Sequence, residues 1–177
     1  MISETVKKAK NLRKKTKETD PFRICNDLGI ILMKKEFGTE PDAIKGFFLS
    51  KCRIKAIAVN SDLPEKMQRI VVAHEIGHAM MHGNRLRQFH DIGLFNAGSI
   101  AEEEANMFAA ELLMDDRDIL DSFESGLSFF ETAAKLDVPG ELLDFKIRIM
   151  EEKGYTFRES PIHAPGNFLR DVKIPEN

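Results

Sequence analysis

Ile70-Val-Val-Ala-His74-Glu75-Ile-Gly-His78-Ala-Met-Met81 is the stretch on which the reading turns. His74 and His78 are four residues apart, so on a helix they share a face and can offer two imidazoles to one metal ion. Glu75 is turned about 100° from His74. It is poorly placed to join the same coordination sphere but well placed to reach a water held there, the arrangement metal-assisted hydrolysis needs. The motif is short and occurs by chance, usually on solvated helix faces. Here its flanks are apolar nearly all round, which predicts a buried helix. Two histidines and a glutamate are costly to bury without partners, and zinc supplies partners for all three. Gly77, inside the helix, suits either a close approach of another backbone or an accident of packing.

Working outward, the helix is predicted to begin near Asp62, with Asp62 and Glu65 at capping-box spacing and Pro64 in the first turn, and to stop at Gly83. Upstream lie three strand candidates, Ile30–Met33, Gly46–Leu49 and Ile54–Val59, with a turn over Phe37–Pro41. They predict a small antiparallel sheet packed on the buried helix. Asp20-Pro21 reads as an N-cap with proline at the first helical position of a short helix ending at Gly29. Ser3–Thr19 is a Lys-rich helix candidate with a thin apolar stripe of Val6, Ala9 and Leu12. Its basic run suits either a solvated face or an acidic partner.

Downstream, Asn84–Gly98 is rich in turn residues, and a second buried helix is expected over Ser99–Met114. The remainder to Lys153 reads as helical with breaks near Gly126 and at Val138-Pro139, and the tail from Ser160 reads as coil. The expected class is therefore α+β: a small sheet on a buried active-site helix, followed by a mostly helical C-terminal part. The expected organisation is an N-terminal helix (1–19), a metallopeptidase core (20–120), a helical part (121–157) and a tail (158–177).

Zinc needs a third protein ligand and an open position. His82 lies a further turn along the same helix, where three ligands diverge too far to meet one ion. The metzincin solution, which leaves the helix at a glycine before a third histidine, is absent because Met81 and Asn84 stand at those places. His82 reads instead as a helix C-terminal histidine. The better candidate is Glu102. On a helical wheel Glu102 and Asn106 lie with Ala105, Phe108, Ala109, Leu112 and Leu113 on the apolar face, while Glu103 sits at its edge and Glu104 and Glu111 lie opposite. Ligation by Glu102, with Asn106 hydrogen-bonding behind the ligands, accounts for both residues. A Ser99–Glu102 capping box accounts for Glu102 alone.

Three blocks carry a resemblance: Ile57-Ala-Val-Asn60, Gln68-Arg-Ile-Val-Val-Ala-His-Glu-Ile-Gly-His78, and Glu102-Glu-Glu-Ala-Asn-Met-Phe-Ala-Ala-Glu-Leu-Leu-Met114. Together they resemble the ImmA/IrrE family of metallopeptidases over residues 20 to 120 and more weakly to 153. Glu102 takes the place of the family's ligand glutamate. Asp115 stands where the family often has proline, with no expected effect on the site. The resemblance implies a gluzincin-like fold, one zinc ion per chain held by His74, His78 and Glu102, and Glu75 as general base. It also implies a protein substrate, a helix-turn-helix repressor of a phage or mobile element.

Charge and composition set the outer bounds. The 177 residues carry a net charge of −3, which lacks the basic surplus of a nucleic-acid binder. No apolar run is long enough to span a membrane, and the N-terminus has no secretory pattern, so a cytoplasmic protein is expected. Cys25 and Cys52 read as small half-buried apolar residues with no metal role. The competing function is a zinc-containing, DNA-binding regulator without peptidase activity, because Ala133–Leu142 has the outline of a helix-turn-helix. Glu141 and Asp144 on its second helix would repel phosphates, so no direct nucleic-acid binding is expected. His82, His90, His163 and Tyr155 are the candidates for stabilising a tetrahedral oxyanion.

Overall fold

Strand β3 (Ile54–Asn60) is the most apolar of three strands and takes the centre of the sheet, flanked by β1 (Ile30–Lys35) and β2 (Gly46–Lys51). The computed structural model describes residues 4–82, 100–157, 160–166 and 168–170. β2 and β3 form an antiparallel hairpin, but β1 runs parallel to β3, so the sheet is mixed rather than antiparallel. The reason lies at one end of β3. Lys35 and Gly46 both finish beside Val59 and Asn60, so the ten residues 36–45 need only cross the end of the central strand. Buried Asn60 pins that crossing. Its side chain accepts from the N–H of Phe37 (3.2 Å) and donates to the carbonyl of Gly38 (2.9 Å), and its backbone N–H bonds Lys45 (2.9 Å). The β2–β3 turn is Cys52-Arg53, both at positive φ (51° and 68°), the handedness that suits a two-residue hairpin. Cys52 is accordingly exposed, and only Cys25 is buried as expected. Burial pushes the Cys25 thiol up to about 12, which leaves it inert.

Two helices precede the sheet. α1 (Glu4–Thr16) buries Val6, Ala9 and Leu12 against α4, and α2 (Pro21–Asp27) is capped by Asp20, which accepts from Phe22. The basic side of α1 is more than a solvated face, because Lys10 lies 3.8 Å from Glu111 and Arg13 lies 3.3 Å from Asp115. The central helix α3 runs Glu65–His82. It starts three residues later than expected: Asp62 accepts from the N–H of Gly38 (2.8 Å), and the first helical turn closes on the Pro64 carbonyl. Every residue from Ile70 to Ala79 is buried, since the sheet, α2 and α4 surround the helix, and exposure returns at Arg69 and Met80 on either side.

α4 (Ile100–Leu113) packs against α3, α1 and α7. Three neighbours leave it little solvated surface, and Glu111 is buried rather than facing water. The rest is helical with breaks where glycine and proline fall: α5 (Asp116–Glu124), α6 (Phe129–Lys135) and α7 (Gly140–Glu152). Ser128 and Glu131 form a reciprocal capping box on α6. The second helix of the helix-turn-helix outline is α7. It buries Leu142, Leu143, Phe145, Ile149 and Met150 and cannot enter a groove. Asp144 belongs to this buried side too, so it is not a surface charge facing phosphates. The tail is not all coil. Residues 160–166 lie along α7, and Phe168–Arg170 form a turn of 3-10 helix with Phe168 buried. Among the described residues no helix is long and apolar enough to cross a membrane.

Candidate metal centre

α3 and α4 meet at unusually close range, and Gly77 is the reason. A Cβ at that position would stand 3.1 Å from both the Cα of Ala105 and the Cβ of Phe108, so the glycine permits the approach of a second backbone. That approach brings the first turn of α4 over the histidine face of α3. Nε2 of His74 and Nε2 of His78 converge to 3.0 Å, with the rings edge to face. One carboxylate spans them: Glu102 Oε2 lies 3.3 Å from His74 and Oε1 lies 3.4 Å from His78. The three ligand atoms all fall within 4.8 Å of one another. Two imidazole nitrogens and a carboxylate oxygen are a donor set that first-row divalent metals take, and with three protein donors a position stays open.

Behind this cluster, Asn106 Oδ1 lies 2.8 Å from Nδ1 of His74, one turn along α4 from Glu102. Glu103 is turned outward and pairs with Arg148 at 3.1 Å. The competing capping box involves Ser99, which lies outside the described residues, as do His90 and the segment 83–99.

Glu75 is buried beside the cluster. Burial pushes its carboxyl up to about 7. The nearby charge of Glu102 adds to the rise, while His78 and a hydrogen bond from the Phe48 backbone on β2 oppose it. Glu102 behaves oppositely. Burial works against its ionisation, but hydrogen bonds to His74 and His78 outweigh burial and hold its carboxyl well below the usual range. Two carboxyls that feel each other's charge are thus driven in opposite directions, one held low and one raised toward neutrality.

The oxyanion candidates fare differently. Tyr155 is exposed beyond Lys153, which reaches Glu111 near the far end of α4, so it lies away from Glu102. His163 is exposed on the tail segment. The backbone of His82 ends α3, and its side chain lies outside what is described. Sequence reasoning missed the Gly166 carbonyl, which accepts from Asn106, and the Phe48 backbone contact to Glu75. Backbone groups carry no residue-type signal.

The IrrE N-terminal-like domain family matches residues 25–148. Immunity region protein 2 of Bacillus phage phi105 is 31% identical over 136 residues, covering 76% of this chain and 84% of the phage protein. Metallopeptidase ImmA of Bacillus subtilis (strain 168) is 26% identical over 132 residues, covering 71% of this chain and 73% of the relative. No solved structure matches the chain at a significant level. With its His-Glu-x-x-His helix and the His74, His78 and Glu102 cluster, the chain belongs to the IrrE N-terminal-like, or M78, family of metallopeptidases.

Proposed function

We propose that this chain is a zinc-dependent endopeptidase, with one zinc ion held by His74, His78 and Glu102 and with Glu75 as general base and acid. The observation that carries the reading is the convergence of His74, His78 and Glu102 next to a buried Glu75 whose pKa sits near neutrality. A zinc ion at those donors supplies Lewis acidity, activating water and polarising a carbonyl. Glu75 accepts a proton at its carboxylate and returns it to the leaving amine, an exchange that a pKa near the working pH favours. Asn106 orients the ring of His74. Glu102, kept anionic by the two histidines, supplies the negative charge that a dication needs.

The substrate we propose is a helix-turn-helix repressor of a phage or mobile element. Support comes from the names of the relatives, one a phage immunity-region protein and one a metallopeptidase. The alternative of a DNA-binding regulator needs a second helix free to enter a groove. Against it, α7 is packed on α4 with its apolar face covered.

The test is to incubate the zinc-loaded chain with the repressor encoded beside it, in parallel with Glu75→Gln. Cleavage by the wild type and none by the variant is expected. Equal cleavage by both rules out Glu75 as the base. A specific, salt-sensitive shift of duplex DNA by the chain alone would favour the regulator.

A further inference from the structure

Asn106 has no exposed surface, and both ends of its amide are engaged. Oδ1 faces Nδ1 of His74, and Nδ2 donates to the carbonyl of Gly166 on the tail segment. A carbonyl can only accept, so Gly166 decides which way the amide faces. With Nδ2 committed to Gly166, only Oδ1 is left for His74, and the ring must answer with Nδ1–H. That leaves Nε2, the atom that meets His78 and Glu102, as the nitrogen whose lone pair a bound ion would take. Reversing the amide would set oxygen against oxygen at Gly166 and an N–H₂ against His74, which favours the opposite tautomer.

The segment that carries Gly166 is anchored on α7 at several points. Asp144, itself buried, accepts from the N–H of Ala164 at 3.0 Å. Arg148 pairs with Asp144 at 3.2 Å and donates to the Ala164 carbonyl at 3.2 Å. Phe168 is buried, with its ring 5.9 Å from that of Phe145. Ala164, Gly166 and Phe168 lie beyond residue 148, where the family match ends.

We propose that residues 160–166 and 168–170 form a C-terminal strap that positions the metal centre, the Gly166 carbonyl fixing Asn106 so that His74 presents Nε2 to the ion. This rests on the reading of His74 as a metal ligand. Asn106 and the strap are positioning elements and touch no substrate.

The test uses the full-length chain as wild type, Phe168→Ala and Phe168→Leu. One readout is zinc affinity by chelator competition. The other is the Nδ1–H of His74 in the metal-free chain, from long-range nitrogen NMR. Phe168→Ala is expected to weaken zinc binding about ten- to a hundredfold, the usual effect of losing a residue that orients a ligand, and to weaken the signal of a fixed Nδ1–H on His74. Phe168→Leu, which keeps most of the anchor, should stay close to wild type. Unchanged zinc affinity together with an unchanged Nδ1–H tautomer in Phe168→Ala would overturn the proposal. Should Phe168→Ala fail to fold, Ala164→Pro decides by the same readouts, because proline lacks the N–H given to Asp144. A wild-type chain that binds no zinc overturns the metal reading instead, while the Nδ1–H of His74, read without metal, still judges the strap.

Discussion

Helix α4 carries a buried polar cluster at each end. Near its start, Glu102 meets His74 and His78 beside Glu75. Near its end, about 13 Å further along the axis, Glu111 meets Lys146 at 2.7 Å and Lys153 at 3.0 Å, and both lysines also hold Asp116, at 2.7 and 2.8 Å. The second cluster brings its own cations. Burial opposes the charge on Asp116, but hydrogen bonds from Lys146 and Lys153 keep its pKa low, and burial opposes the charge on Lys153, but its acidic partners keep it high. With Lys10 a third cation 3.8 Å from Glu111, lysines of the chain already match these two carboxylates. The first cluster instead gathers two imidazoles and a carboxylate whose donor atoms lie within 4.8 Å of one another, a set that a divalent cation takes. Burial alone does not separate a structural cluster from a functional one. The balance of donors and acceptors does.

The largest expected effect breaks the first cluster. Glu102→Ala should weaken zinc binding by orders of magnitude and remove cleavage with it, measured by chelator competition and by repressor digestion. Lys146→Met should do the reverse. It leaves Glu111 short of a buried partner and should cost about 3 kcal/mol in denaturant unfolding, while zinc content stays at the wild-type level. If Lys146→Met lost zinc at unchanged stability, the two ends of α4 would not be independent.

Glu75 sharpens the contrast through pH. Its folded pKa of about 7 lies above the ordinary value of 4.5, so the metal-free native state binds the proton more tightly than the unfolded chain. Stability from this group is therefore full below pH 4.5 and falls as pH rises toward 7. The loss is about 3 kcal/mol once the group is ionised. Urea unfolding of metal-free wild type and Glu75→Gln across that range should show the decline in the first and its absence in the second. Parallel curves would mean that Glu75 is not desolvated.

Smaller effects follow from the contact between α3 and α4. Gly77→Ala forces a methyl into a 3.1 Å gap against Ala105 and Phe108. It should cost about 1–3 kcal/mol and also weaken zinc binding, because the displaced helix carries Glu102. The smallest effect belongs to Glu103→Ala. Its pair with Arg148 is half exposed and should be worth at most about 1 kcal/mol, with zinc retained.

Much of the architecture was legible because periodicity and capping are local. The His74–His78 spacing, the shared face of Glu102 and Asn106, the Asp20-Pro21 start of α2, and the breaks near Gly126 and Pro139 all depend on a few neighbouring residues. What was not legible depends on distant partners. The parallel pairing of β1 follows from Asn60 clasping residues 37 and 38 across the end of the sheet, and nothing in β1 itself announces it. Glu111 looked solvated on a wheel because the wheel shows one buried face, whereas α4 has three neighbours, and the lysines that meet Glu111 come from α7 and beyond it. Asp62 had the spacing of a cap but is engaged by Gly38, more than twenty residues upstream. The strap contact at Asn106 uses a backbone carbonyl, which any residue type could provide.

The central claim is that His74, His78 and Glu102, gathered near the start of α4, hold a zinc ion. Elemental analysis of the purified protein, after dialysis against zinc and removal of the excess, tests it most directly. One zinc per chain is expected for the wild type and for Glu75→Gln, and close to none for Glu102→Ala. No bound transition metal in the wild type, or full occupancy in Glu102→Ala, would contradict it.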